Sequence, residues 1–122
     1  MSSIFILDDD EDILFVLNYW LLNVGYEVHV FTNLKDMLLL FNTCLPDIML
    51  LDINLPGEDG REVCKMMKKE LHYNKPILHV SANPYLFDNT SCYCADGIIA
   101  KPFDLKELTT IVGAFISKQC DI

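Results

Sequence analysis

The sequence predicts an α/β domain in which a five-stranded parallel sheet is covered by helices on both faces. Three observations predict it. Short apolar runs alternate with longer amphipathic stretches from one end of the chain to the other. The run Ile48 to Leu51 is apolar without alternation, as in a strand buried on both faces. The runs also stop at polar or charged residues followed by turn residues, where a strand would hand over to a loop.

Ser3 to Leu7 forms the first predicted strand and ends in Asp8-Asp9-Asp10-Glu11-Asp12. The helix after it carries its apolar stripe on Leu14, Leu17, Leu21 and Val24, and Gly25 stops it. Tyr26 to Phe31 alternates like a strand near a sheet edge, with Val28 and Val30 on one side and Glu27 and His29 on the other. Leu34 to about Phe41 is a short second helix. The Ile48 to Leu51 strand ends at Asp52, and a loop through Pro56 and Gly57 leads to a helix from Gly60 to about Leu71. Val63, Met66, Met67 and Leu71 are its expected inner face; Arg61, Glu62, Lys65, Lys68 and Lys69 its wet one.

Pro76 to Ser81 and Gly97 to Ala100 are the last two strands. Between them, Pro84 to Cys94 must hold any fourth helix, yet it is rich in Asn, Ser, Thr and aromatics, which disfavour a long one. Asp104 with Glu107 three residues later resembles a capping box opening a final helix to about Lys118, with Leu108, Ile111, Val112 and Phe115 inward. Five such strand and helix pairs call for right-handed crossovers, and the count suits a flavodoxin-like order.

Composition narrows the function. A length of 122 residues suits one domain, residues 1–122, with no room for a second core. No apolar run reaches the eighteen or so residues of a membrane span, and the N-terminus lacks the basic start and cleavage site of a signal peptide, so a cytoplasmic location is expected. Nine Lys and Arg against eighteen Asp and Glu, a net charge of -9, disfavour nucleic acid and favour cations or a basic partner. Five cysteines without framework spacing argue against a disulfide scaffold, and Cys92 and Cys94 lack the second ligand pair of a structural zinc site.

In a parallel sheet the C-terminal strand ends share one edge, which gathers Asp8, Asp9, Asp52, Ser81 and Lys101. Gathered carboxylates repel unless a cation sits among them, and Mg²⁺ suits such oxygen ligands. An aspartate nucleophile with a metal, a hydroxyl and an ammonium is the set that phosphoryl transfer onto a carboxylate needs. Each residue also has a plainer reading: Asp52 and Ser81 as turn caps, Lys101 as a surface lysine. Asp10, Glu11 and Asp12 suit a helix N-terminus better than a metal. The Asp8, Asp10, Asp12 spacing fails as a calcium loop, because Ile13 and Tyr19 stand where Gly and Glu belong. His29, His72 and His79 show no partner spacing, and His79 reads as a satisfied core or edge residue; Trp20 reads as helix packing.

Leu7-Asp8-Asp9-Asp10, Leu51-Asp52-Ile53-Asn54-Leu55-Pro56-Gly57 with Asp59-Gly60, Ser81-Ala82 and Lys101-Pro102-Phe103 stand at successive strand ends. On these four motifs the chain resembles the receiver domain of two-component response regulators over essentially its whole length. The resemblance implies Asp52 as phosphoacceptor, Asp9 and Asp52 as direct Mg²⁺ ligands with the Asn54 backbone carbonyl, and Asp8 as a ligand through water. It further implies that Ser81 and Lys101 hold the phosphoryl group and that the Lys101-Pro102 bond is cis. The implied partners are a sensor histidine kinase or phosphotransfer protein and an unspecified downstream protein, with homodimerisation left open and no membrane. Such a domain is not an enzyme beyond its own phosphorylation and dephosphorylation.

Two positions depart from the family pattern. Ile98 stands where a switching Tyr or Phe is usual, and a branched aliphatic cannot swap rotamers as a ring does. Cys94 stands where the preceding turn commonly has Gly. Asn54 and Asn83 flank the expected water path, which suggests self-dephosphorylation neither blocked nor unusually fast. Two alternatives stay open: a pseudo-receiver serving as an interaction scaffold, and a Mg²⁺-dependent aspartyl-phosphate phosphohydrolase, which would want a second acid at Asn54 and a cap domain. No output domain follows the last helix, so the chain is expected either to stand alone or to be cut from a larger protein.

Overall fold

The computed structural model describes residues 2–82 and 94–120. In chain order it contains β1 (Ser3–Leu7), α1 (Glu11–Val24), β2 (Glu27–Phe31), α2 (Leu34–Phe41), β3 (Ile48–Asp52) and β4 (Asn54–Leu55). There follow β5 (Glu58–Asp59), α3 (Gly60–Lys69), β6 (Ile77–Ser81), β7 (Gly97–Ala100) and α4 (Leu105–Cys120). Five strands form one parallel sheet in the order β2-β1-β3-β6-β7, the flavodoxin-like arrangement, with β3 at its centre.

Alternation of side chains across the sheet makes two cores. Ile4, Ile6, Leu50, Leu78 and Val80 pack against Leu14, Leu17 and Leu21 of α1 and Leu108 and Val112 of α4. Phe5, Leu7, Met49, Leu51 and Ile77 pack on the other face against Met37 of α2 and Val63 and Met67 of α3. Every residue of β1, β3 and β6 is buried, because each strand has a neighbour on both sides and helices above and below. The edge strand β2 is only partly covered: Val28 and Val30 face the α1 and α4 core, while Glu27 is exposed.

Local chemistry fixes the helix ends. Asp10 caps α1, its Oδ1 accepting from the backbone N–H groups of Asp12 and Ile13 at 3.0 and 3.3 Å. Gly25 ends α1 at φ 119°, a left-handed conformation that side-chain-bearing residues resist, and donates to the Leu21 and Leu22 carbonyls. Asp104 caps α4, accepting from Lys106 and Glu107 N–H at 2.7 and 3.3 Å. Trp20 is packing with a polar tether: its indole donates to Thr109 Oγ1 at 2.7 Å and ties α1 to α4.

Three expectations need correction. Val24 and Leu71 are 46% and 41% exposed instead of inward, since Val24 lies in the last turn of α1 and Leu71 beyond the end of α3. Cys64 and Ile116 occupy inner positions that the stripes left out. The segment after Asp52 is more than a loop, because β4 and β5 pair antiparallel as a small hairpin, Asn54 opposite Asp59 and Leu55 opposite Glu58. The expected fourth helix and Asn83 lie outside the described residues, as does Cys92. No helix among the described residues is long and apolar enough to cross a membrane.

Candidate functional site

The acidic strand ends converge as the parallel topology requires. Asp8 follows β1 and is 2% exposed; Asp52 ends β3 and is 5% exposed; Asp9, beside Asp8, is open to solvent. Each offers a carboxylate oxygen, and those three atoms lie within 4.8 Å of one another. Lys101, just past β7, donates from Nζ to Asp8 Oδ2 at 2.9 Å and stands 3.7 Å from Asp52 Oδ2. Its backbone N–H donates to the Ser81 carbonyl at 2.8 Å, which locks the end of β7 to that of β6. Ser81 is fully buried, and β6 runs beside β3 with Val80 opposite Asp52, so Ser81 follows one residue beyond. The Lys101-Pro102 peptide bond is cis.

Neighbouring backbone holds the carboxylates in place. Asp10 N–H donates to Asp8 Oδ1 at 2.9 Å, and Asn54 N–H approaches Asp52 Oδ1 at 3.4 Å. Asp59 caps α3 and grips Arg61 twice, from Nε at 3.1 Å and Nη2 at 2.7 Å, and this contact holds its carboxyl below the usual range. Gly60, which in the sequence stands only as a helix start and a motif residue, is a component of the site. A Cβ there would strike the Asp52 carbonyl oxygen and come within 2.7 Å of Ile53 Cα, so only glycine lets α3 start against the end of β3. Glycine after aspartate signals a turn, but nothing in a linear sequence reports that close approach. His79 is a core residue on β6: its Nδ1 lies 3.2 Å from the Leu51 carbonyl, which accepts its proton, and burial lowers its pKa.

Electrostatically the site is short of positive charge. Burial and the neighbouring Asp8 carboxylate push Asp52 up to about 6, with Asp9 adding to the effect; Lys101 and the Asn54 N–H pull the other way. Burial alone would lower the Lys101 ammonium, but its hydrogen bond to Asp8 and the charges of Asp8, Asp52 and Asp10 outweigh it and raise its pKa. Three carboxylates against one ammonium form a hard oxygen set suited to a divalent cation.

This imbalance has a measurable consequence. The folded pKa of Asp52 lies above the unfolded value of 3.8, so its contribution to stability is fully present below that value and is lost as pH rises through about 6. Asp52→Asn should therefore stabilise the metal-free protein at neutral pH, by on the order of 2 kcal/mol. In urea titrations the advantage should grow between about pH 4 and 7 and shrink when Mg²⁺ is added. A difference independent of pH would contradict this electrostatic picture.

Comparison with known proteins fits the same frame. Residues 4–113 match the response regulator receiver domain family. The chain belongs to that family. Among solved structures, the receiver resembles the response regulator TrrA from Thermotoga maritima in complex with Mg²⁺-BeF, at 29% identity and a TM-score of 0.84. The match covers 94% of this chain and 99% of that one. TrrA in complex with the histidine kinase ThkA matches at 29% identity and a TM-score of 0.82, covering 94% and 98%. The chemotaxis protein CheY4 of Vibrio cholerae, at 24% identity and a TM-score of 0.85 over 94% and 98% of the two chains, shares the fold. The receiver is thus a two-component signalling domain with four helices among its described residues.

Proposed function

We propose that this receiver accepts a phosphoryl group on Asp52 from the phosphohistidine of a sensor kinase or phosphotransfer protein. The observation that carries the reading is the contact of one lysine with two buried carboxylates, with a third exposed beside them. An Asp52 carboxylate oxygen forms the new P–O bond as the P–N bond to the donor imidazole breaks, and the imidazole leaves with the bonding pair. Asp9, Asp52 and the Asn54 carbonyl, with Asp8 through water, would hold Mg²⁺, and the donor set fits it. When bound, Mg²⁺ supplies positive charge that neutralises phosphoryl oxygens.

Lys101 has three ammonium protons and already reaches both carboxylates, so it can keep Asp8 while pairing with a phosphoryl oxygen on Asp52. The Ser81 hydroxyl serves as a further donor at the adjacent strand end. A groove of about 450 Å³ beside the site, lined by Asp12, Ile13 and Val16 of α1 and by Lys101, Pro102 and Phe103, receives the donor. Phe15 and Tyr19 on α1 are also exposed, at 73% and 66%, and Phe15 lines a separate groove with Val30 and Phe31 on the β2 side of that helix.

The domain acts as a reactant in signalling instead of a turnover catalyst. Its described residues place Ile98 on β7, 37% exposed, so no aromatic ring at that position can swing inward to report the added charge. Incubation with a small acyl phosphate and Mg²⁺, followed by intact mass measurement, tests the proposal. The expected result is a single phosphoryl adduct that depends on Mg²⁺. Absence of any adduct would reject phosphoacceptance and favour a binding scaffold.

A further inference from the structure

Away from the phosphoryl site, Glu27, His29 and Cys44 form a second convergent group. Their ligand atoms, a carboxylate oxygen, an imidazole nitrogen and a thiol sulfur, all lie within 4.8 Å of one another. We propose that these three residues bind a Zn²⁺-class transition ion, a site independent of Mg²⁺ and of phosphorylation.

The chain builds the group from two segments. Glu27 and His29 are two apart on β2, so their side chains leave the strand on the same face. Glu27 Oε2 and His29 Nε2 are 3.0 Å apart. The His29 ring is steadied by an edge-on contact with Phe5, centroids 5.6 Å apart at 76°. Cys44 comes from the turn after α2, where its N–H donates to the Leu40 carbonyl at 2.9 Å and fixes its backbone. It is a free thiol, half-buried against the α2 and α3 core. Glu27 is exposed and His29 partly so, which leaves an approach from solvent.

Donor chemistry selects the ion. A tetrahedral ion with metal–nitrogen, metal–oxygen and metal–sulfur bonds of about 2.0–2.3 Å needs its ligand atoms about 3.4–3.6 Å apart. Small side-chain rotations bring atoms already within 4.8 Å to that spacing. Thiolate with imidazole and one carboxylate favours a borderline-soft ion over Mg²⁺, which prefers oxygen alone. Three protein ligands leave a fourth position for water. On binding, the Cys44 thiol gives up its proton to solvent, and the ion replaces the direct Glu27 contact to His29. The all-oxygen group of Asp8, Asp9 and Asp52 stands at the C-terminal ends of the strands, whereas Glu27 opens β2 and Cys44 precedes β3. The two groups therefore sit at different ends of the sheet and differ in softness.

The test is a Co²⁺ titration of the full chain in a non-thiol reductant, with excess Mg²⁺ present to occupy the acidic edge. Wild type should bind one equivalent and develop thiolate-to-Co²⁺ charge-transfer absorption, which Zn²⁺ then displaces. Cys44→Ser and Cys44→Ala should abolish the band, and His29→Gln should weaken binding by more than about tenfold. Asp52→Asn should leave it unchanged. Zn²⁺ should also raise the Tm of wild type but not of Cys44→Ser, with circular dichroism confirming that the variants fold. No binding by wild type, binding without the thiolate band, or an undiminished band in the Cys44 variants would each overturn the proposal. None of these outcomes depends on Asp52 accepting a phosphoryl group.

Discussion

Replacing Lys101 with methionine is expected to cost about 3 kcal/mol of stability in Mg²⁺-free buffer. Methionine keeps much of the apolar stem but removes the ammonium that Asp8 accepts from at 2.9 Å and that also faces Asp52 at 3.7 Å. The side chains of Asp8 and Asp52 are 3% and 7% exposed, so water cannot take over the role of the lost charge. Breaking a buried pair from one side leaves the other charge uncompensated, which is costlier than never having made the pair. Added Mg²⁺ should restore much of the loss, because a divalent ion among the same carboxylates supplies the missing charge. Urea unfolding with and without Mg²⁺ measures both effects. Lys106→Met, at an exposed position, is the reference and should change stability by less than about 0.5 kcal/mol. Equal stability of the two variants without Mg²⁺ would mean that Lys101 does not neutralise the site.

Gly60→Ala should be comparably damaging, about 3 kcal/mol, for a steric reason. The added methyl would strike the Asp52 carbonyl oxygen and crowd Ile53 Cα, both backbone atoms that cannot rotate away. Backbone relief is restricted as well, because the Gly60 N–H donates to the Ile53 carbonyl at 2.8 Å and Asp52 is held in β3 between β1 and β6. Any accommodation must shift Asp52 itself, so phosphoryl uptake should fall together with stability. Gly113→Ala is the contrasting case: its nearest neighbour would be the Tyr26 hydroxyl at 3.7 Å, an ordinary contact, and alanine favours the helix. It should stabilise by about 0.5–1 kcal/mol. Thermal and urea unfolding of the pair separate close backbone approach from a general intolerance of glycine replacement.

The sheet and the gathering of its charged strand ends were legible because each depends on one-dimensional signals. Unbroken apolar runs such as Ile48 to Leu51 mark strands covered on both faces, and parallel pairing sends their ends to one edge. The capping role of Asp104 was legible for the same reason, since a cap acts on N–H groups two or three residues away, whereas Asp10 was legible only as charge at a helix N-terminus and proves to be the cap itself. What escaped depends on distance in space. Val24 and Leu71 fit a helical stripe, but the stripe does not say where the neighbouring element stops covering it. The Gly60 approach to Asp52 joins the start of α3 to the end of β3 across the intervening β4 and β5 hairpin, and the Glu27, His29 and Cys44 group joins a strand to a turn past the following helix. Two-residue strands such as β4 and β5 carry no periodicity at all, so their pairing was invisible until the fold closed around Asp52.

Everything proposed for signalling converges on one carboxylate, and its modification can be located directly. After treatment with a small acyl phosphate and Mg²⁺, reduction with borohydride converts an aspartyl phosphate to homoserine, which peptide mass spectrometry assigns to a residue. Conversion is expected at Asp52 alone in the wild type and nowhere in Asp52→Asn. Conversion at Asp8 or Asp9, or an equal yield in Asp52→Asn, would contradict that expectation.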